Sequence, residues 1–334
     1  MKKKKYKAVV IGCGKIGVEE RNYRKEIKPA THAAAFRNHP KIELVGLADI
    51  NLERLKIASR YFPGVPLFNS TEKMLRIKKP DIVSIATHSD SHLELVKLSL
   101  KYKPRAIVCE KPIAETLKEA KEMIKVCKNS KILLFINHTR RFDPLFRLFQ
   151  EKIKKNQFGK IVQATGYYYN GLFNNGTHLV DILRFFLGDI DWVLGVENKL
   201  TRNPYLKKDL NIDGLLHFKS GTVVFLQSLP ANYGFFEFYF LGTRGGVFFR
   251  NLGYQIEQRR LVKNKYYKNY YQFSKTEFYG RVRSYMKSMA EHVVDCLDGK
   301  DSPVSRGEDG LVALRILFAL KESAKNKGKL IKLK

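Results

Sequence analysis

The feature that most constrains this chain lies at its start. A short strand-like run, YKAVVI at 6–11, leads directly into 12-GCGKIG-17. A β-branched strand bounded by glycine, followed by Gly-x-Gly-x-x-Gly and the opening of a helix, is the first turn of a βαβ unit that holds a dinucleotide. Gly12, Gly14 and Gly17 permit a tight turn and let backbone N–H groups approach a pyrophosphate at the helix N-terminus. Together with Lys15 and Ile16 they form the expected cofactor loop.

A second strand, ELVGLA at 43–48, ends in Asp49. A carboxylate there accepts hydrogen bonds from a ribose diol and repels a 2′-phosphate, so NAD is preferred. Arg54, one turn into the following helix, keeps NADP possible. One spacing departs from the pattern. Asp49 follows Gly17 by 32 residues, where about 20 is usual. The surplus lies in 18-VEERNYRKEIKPAT-31, read as an insertion at the mouth of the first helix, which resumes at about His32. The insert is either a lid or specificity loop over the cleft or a plain surface loop.

Strand and helix then alternate: a helix over 51–61, a strand at 81–86, a helix at about 90–102, a strand at 106–109, a helix over 114–127 and a strand at 132–136. This predicts βαβ units and a doubly wound parallel sheet over 1–137. From 138 to 334 the pattern changes. A helix at 143–155, a strand at 160–169 and a helix starting at His178 precede strand-like runs at 191–201, 211–219, 222–229, 234–242, 246–250 and 255–262. Without long helices between them, these pair as an open, mostly antiparallel sheet in an α+β domain. Helices are expected near 279–297 and 306–325, the second opened by Ser305 and Glu308 in capping-box spacing; these last helices are free to pack back on the first domain. The run 234-GFFEFYFLG-242 carries aromatics on both alternating faces. One face suits helices and the other a second subunit, so a homodimer or homotetramer is expected.

Composition narrows the function classes. The chain's 334 residues suit two domains. No apolar run reaches the roughly 18 residues of a membrane span. The basic start MKKKKYK leads into AVVIG, too short for a signal peptide, so a soluble, cytoplasmic protein is expected. Cys13, Cys109, Cys127 and Cys296 form no CxxC, which points to free thiols and no metal site. The formal charge is +30, a field that attracts anions. The lysines are spread along the chain rather than gathered into a footprint, so solvated faces are favoured over nucleic acid. The cluster 266-YYKNYY-271 mixes tyrosine with lysine as single-strand binders do, but is read as an edge strand guarded by lysines.

Beyond the loop and Asp49, the chain contains 84-SIATHSDSH-92, 110-EKP-112, 140-RRFDP-144, 175-NGTHLVD-181 and 302-SPVSRGEDGLVALRI-316. Together these resemble the Gfo/Idh/MocA family of NAD(P)-dependent oxidoreductases, most of which act on sugars, polyols or nucleotide sugars. The resemblance covers essentially the whole chain and implies a Rossmann domain followed by a substrate and oligomerisation domain. It makes Lys111 the catalytic lysine, preceded by Glu110 on the cofactor side and followed by Pro112, often joined by a cis bond. Thr87 and His92 match cofactor-side positions, although His88 stands where the family commonly has proline. His178 matches the substrate-side acid/base, and Arg141, Asn175 and Thr177 fall among substrate-lining positions.

The family frequently carries aspartate four residues before that histidine. Here the position is Asn174. An aspartate would favour the charged forms of lysine and imidazolium; asparagine removes that effect and keeps a hydrogen-bonding group to orient substrate. Dehydrogenases in this family that oxidise the sugar 3-hydroxyl of UDP-N-acetylaminouronates look similar here, which points to a nucleotide sugar in surface-glycan assembly. Asp181 either orients His178 or stabilises the helix start, and one ring of 167-YYY-169 is placed to stack on a sugar or base. Two rival readings are a glycosidase using bound NAD for transient C3 oxidation and a non-catalytic Rossmann scaffold bound to nucleic acid.

Overall fold

The computed structural model describes residues 5–202 and 209–333. The chain forms two compact units, Met1–Asp143 with Arg283–Leu311, and Pro144–Val282 with Val312–Lys334. The division falls at 143/144 rather than 137/138, and the segment 283–311 groups with the first unit.

In the first unit the strands and helices alternate as β1 (Tyr6–Ile11), α1 (His32–Asn38), β2 (Ile42–Ala48), α2 (Leu52–Tyr61), β3 (Leu67–Phe68), α3 (Thr71–Lys78), β4 (Ile82–Ile85), α4 (His92–Leu100), β5 (Ala106–Cys109), α5 (Leu117–Asn129) and β6 (Leu133–Ile136). The six strands are parallel in the order β3-β2-β1-β4-β5-β6. The order reverses between β1 and β4, which opens a crevice at their carboxyl ends. β4 and β5 are buried along their whole length, as a sheet covered on both faces requires.

The first helix is interrupted, and its hydrogen bonds explain the odd spacing. Val18 N donates to Gly14 O and Glu19 N to Lys15 O, the ordinary helical ladder. The next two rungs are His32 N to Ile16 O at 3.1 Å and Ala33 N to Gly17 O at 3.0 Å. His32 therefore stands where residue 20 would, and residues 20–31 are looped out of a continuing helical ladder. Removing those 12 residues from the 32 between Gly17 and Asp49 leaves 20, the ordinary spacing. The loop's ends are tied by Ala30 N donating to Glu20 Oε1 at 2.8 Å. Thr31 then caps α1 by accepting from Ala34 N.

The second unit runs α6 (Pro144–Lys154), β7 (Ile161–Tyr169), α7 (Thr177–Leu187), β8 (Ile190–Glu197), β9 (Ile212–Phe218), β10 (Val223–Leu229), β11 (Glu237–Gly242), β12 (Gly245–Arg250), β13 (Gln255–Lys263), β14 (Tyr271–Phe273) and β15 (Glu277–Arg281). After it come α8 (Tyr285–Leu297), α9 (Gly307–Lys325) and β16 (Ile331–Lys332). Its ten strands have the order β14-β13-β12-β11-β7-β10-β9-β8-β16, with β15 also on β13. Among the described residues of this sheet, only β7 and β10 pair in parallel. On one face Phe146 and Phe149 of α6 and Phe186 of α7 pack against Phe238, Phe240 and Phe249, with ring centroids as close as 4.9 Å. Tyr239 alternates to the opposite face with Tyr167 and Phe248.

Several expected elements are corrected. The helix expected from 279 begins at Tyr285, where the Ser284 side chain accepts from Lys287 N, and residues before it pair with β13 as β15. The tyrosine cluster 266–271 is mostly a turn. Asn264 Oδ1 accepts from the N–H groups of Tyr266 and Tyr267 and reverses the chain before β14. Ser305 does not cap α9: its hydroxyl donates to Ile136 O at 2.6 Å. Asp309 instead accepts from Arg306 N, so the cap sits one residue later. The strand expected to reach 201 ends at Glu197 and gives way to a 3₁₀ turn at Lys199–Thr201.

Candidate active site

In the first unit the glycine loop closes against the end of β4. Gly12 has φ +98°, and a Cβ there would meet Ala86 O at 2.5 Å. A Cβ on Gly17 would lie 2.0 Å from Gly12 O, so both positions exclude a side chain. Gly14 is different: a Cβ on it would meet nothing of the chain within 4 Å. Only there does backbone face open space at the helix start, as close approach of a pyrophosphate requires. The residues present thus fit a dinucleotide. Burial pushes the Cys13 thiol up to about 12, so it stays neutral beside the loop.

Asp49 is buried at the end of β2. Its Oδ2 accepts from Cys13 N and its Oδ1 from Asn51 N, each at 2.8 Å. The carboxylate thereby ties β2 to the glycine loop, and each oxygen keeps further lone-pair capacity for a ribose hydroxyl. Arg54 Nη1 lies 3.8 Å from Asp49 Oδ2 and is half-exposed, within reach of the same ribose edge.

Thr87 sits at the end of β4, its methyl 3.0 Å from the position of a Gly12 Cβ and its hydroxyl accepting from Ser91 Oγ at 2.7 Å. His92 is placed differently from expectation. It is fully buried, with ring nitrogens 3.1 Å from Ile113 O and 3.3 Å from Thr87 O. Burial lowers its pKa. It braces the loop after β4 against the segment after Lys111.

Glu110 is likewise held by the protein around it. Its Oε1 accepts from His32 Nε2 at 2.9 Å and Asn137 Nδ2 at 2.6 Å, and its Oε2 from Lys111 N at 3.3 Å. Burial alone would raise its pKa. The hydrogen bond and charge of His32, the Lys111 charge and Asn137 outweigh that and hold it at about 2. An ionised carboxylate behind Lys111 is thus held by three protein donors. Sequence reasoning missed His32 and Asn137; the restored helix register would have pointed to His32. The Lys111–Pro112 bond is cis. Arg141, expected at the substrate, is buried in the first unit. Its guanidinium donates to Val304 O and pairs with Asp309 Oδ1 at 3.1 Å.

In the second unit the motif that follows β7 is not a simple helix start. Leu172–Gly176 is a π-helical turn leading into α7, closed by Gly176 N donating to Gly171 O at 3.0 Å. The first N–H groups of such a turn need outside acceptors. Here four consecutive ones are met by one segment. Gly171 N donates to Asn211 Oδ1, Leu172 N to Leu210 O, Phe173 N to Asp209 Oδ1 and Asn174 N to Asp209 Oδ2, at 2.8–3.0 Å. Gly171 has φ +93°, and a Cβ on it would meet Asp209 Oδ2 at 2.2 Å. Asp209 thus brings a carboxylate to the backbone of the position where one was expected as a side chain. No local motif marks it, because it lies 35 residues away in sequence.

This clasp holds Asn174 and His178 one turn apart, and both, with Asn175, are partly exposed. Thr177 is 1% exposed and Asp181 2%, so both are buried, in contrast to the partly exposed Asn174, Asn175 and His178. Of the three tyrosines, Tyr168 is fully buried: its hydroxyl donates to Ile212 O and accepts from Ile212 N. Tyr167 packs on Phe235 and Tyr239.

The first unit thus carries a dinucleotide-type sheet with a lysine after β5, and the second a mixed sheet whose strand β7 leads to a clasped Asn–His turn. Residues 6–138 match the oxidoreductase family's NAD-binding Rossmann fold, and residues 171–333 match its C-terminal alpha/beta domain. The chain belongs to this family, GFO/IDH/MocA. Among its relatives, myo-inositol 2-dehydrogenase of Thermotoga maritima is 25% identical over 342 aligned residues, covering 95% of this chain and 96% of that protein. D-apiose dehydrogenases of Paraburkholderia graminis and Rhizobium rhizogenes are 29% and 27% identical, over alignments spanning 51% and 63% of their lengths. The crystal structure of the WlbA dehydrogenase of Bordetella pertussis, solved with NADH and UDP-GlcNAcA, superposes with a TM-score of 0.76 at 22% identity, covering 99% of each chain.

Proposed function

We propose that this chain is an NAD-dependent dehydrogenase that interconverts a secondary alcohol and a ketone of a sugar, with the sugar carried on a nucleotide. The observation that carries the redox reading is Lys111, set immediately after a buried, ionised Glu110 and on the same side of the sheet as the glycine loop's opening at the carboxyl ends of the strands. The sugar and polyol activities in the names of the relatives support the substrate class. The nucleotide carrier rests on Asn174 in place of aspartate, the pattern resembling the UDP-aminouronate dehydrogenases.

NAD, when bound, accepts or returns the hydride. The residues of this chain would supply the rest. Residues 12–17 hold the pyrophosphate and Asp49 the ribose diol. Lys111 and His178 are the groups able to hold or move the hydroxyl proton. Asn174 lacks charge, so it orients a substrate hydroxyl without fixing a proton on a neighbouring base. The outer face of the second sheet, where Phe225 is exposed, is the surface we assign to a second copy of the chain.

Purified protein with NAD is screened by nicotinamide absorbance against UDP-sugars, free sugars and polyols. Turnover with a UDP-sugar and a loss of about 100-fold or more in kcat for Lys111→Ala, with NADH affinity nearly unchanged, is the expected result. Turnover only with free polyols would remove the nucleotide carrier; undiminished turnover in Lys111→Ala would remove the mechanism.

A further inference from the structure

A cleft of about 580 Å³ lies in the second unit, between the end of α6, the β11–β12 turn and β13. Four cations line it: Lys152, Arg244, Arg259 and Arg260. No carboxylate is among the lining residues. Elsewhere many basic side chains of this chain pair with acids, but none of these four has an ion-pair partner among the described residues. Arg244 donates to Asn156 O, and Lys152 to Gln258 Oε1 at 3.5 Å with its charge 4.0 Å from the Tyr279 ring centre. Arg259 stacks its guanidinium over Phe248 at 5.5 Å, and its Nε is buried without a hydrogen-bond partner. Glu277 reaches Gln258 from β15 at 2.9 Å, and does not reach the cations. Holding four like charges together without a counter-charge is unfavourable, and a buried guanidinium donor with no acceptor adds to that cost.

We propose that this cleft is a second ligand site, taking the diphosphate of a nucleotide. Arginine forks match phosphate oxygens bidentately. The volume falls within the range of small-ligand pockets. Tyr271, 65% exposed at the rim, offers a face on which a base stacks. The site is separate from the Asn174–His178 turn. Phe158 and Thr243 of the cleft adjoin the start of β7, and the turn follows its far end. The nine residues of β7 put roughly 30 Å between them at about 3.3 Å per residue. A ligand in the cleft therefore does not contact that turn, and the site is an accessory one, independent of the sugar reading.

The test uses the full chain saturated with NADH, so that the glycine loop is filled. Pyrophosphate, then ADP, is titrated by calorimetry at near-physiological salt. One saturable site per chain is expected, weakened at least tenfold by the double change Arg259→Gln and Arg260→Gln, with NADH affinity unchanged and the melting temperature not lowered. Should that variant fold poorly, Lys152→Gln provides the same comparison with a smaller loss. Binding unaltered in these variants, or heats that never saturate, would overturn the site. So would a single-stranded oligonucleotide binding more tightly than ADP and losing that affinity in the variant, which would assign the cleft to nucleic acid. Conversion of an oligomer to monomers by the variant, with no anion bound, would assign it to a subunit contact.

Discussion

Replacing Glu110 by glutamine tests the network behind Lys111. Three donors converge on this carboxylate: His32 Nε2, Asn137 Nδ2 and Lys111 N. A glutamine keeps the shape but turns one acceptor into an amide that must face a donor. The carboxyl group is held at about 2 from an ordinary value of 4.5. That difference of about 2.5 pH units corresponds to roughly 3 kcal/mol of folding stability, at about 1.4 kcal/mol per unit. Because the folded value is depressed, this stabilisation is present above about pH 4.5 and is lost as pH falls towards about 2. Urea unfolding of both proteins across that range is the assay. The variant should be less stable by roughly 3 kcal/mol at neutral pH, and the gap should close on acidification. A gap that stays constant between neutral pH and about pH 3 would refute the reasoning, because the carboxylate would then contribute shape rather than charge. Since Lys111 is anchored by the same group, kcat should fall in the variant more than NADH affinity does.

Two further perturbations probe the local geometry. Asp209→Asn places an amide against the N–H of Phe173 or Asn174, and should cost about 1–3 kcal/mol in unfolding experiments. It should also lower kcat by up to about a hundredfold if the turn moves by about 1 Å, with NADH titration unaffected. Joining Glu19 directly to His32 by deleting residues 20–31 should preserve the fold and NADH binding, because His32 N and Ala33 N already complete the ladder begun at Gly14. Loss of the helical circular-dichroism signal or of NADH binding in that deletion would show that the loop is needed to seat α1.

How much could be read from residue order follows from the range of the forces involved. Alternation of short apolar strands with helices, the glycine loop, the acid ending β2 and the Glu-Lys-Pro and Asn-Gly-Thr-His segments are all local. They express backbone sterics and one-dimensional periodicity, so the sequence by itself determined the two kinds of sheet, the cofactor class and the family. It also located the insertion, because a deviation from a fixed spacing is visible in one dimension. What His32, Asn137, Asp209 and Asn211 do was decided only in three dimensions. Each is defined by a partner dozens of residues away, and a histidine or aspartate in a sequence carries no mark of which buried donor or acceptor it will meet. The same holds for the corrections. Arg141 and His92 stand in motif positions, yet burial brings each to partners inside the first unit. Burial is a property of packed elements, and hydrogen bonds inside a protein must be satisfied by whatever packing brings near; only the tertiary structure settles which groups those are.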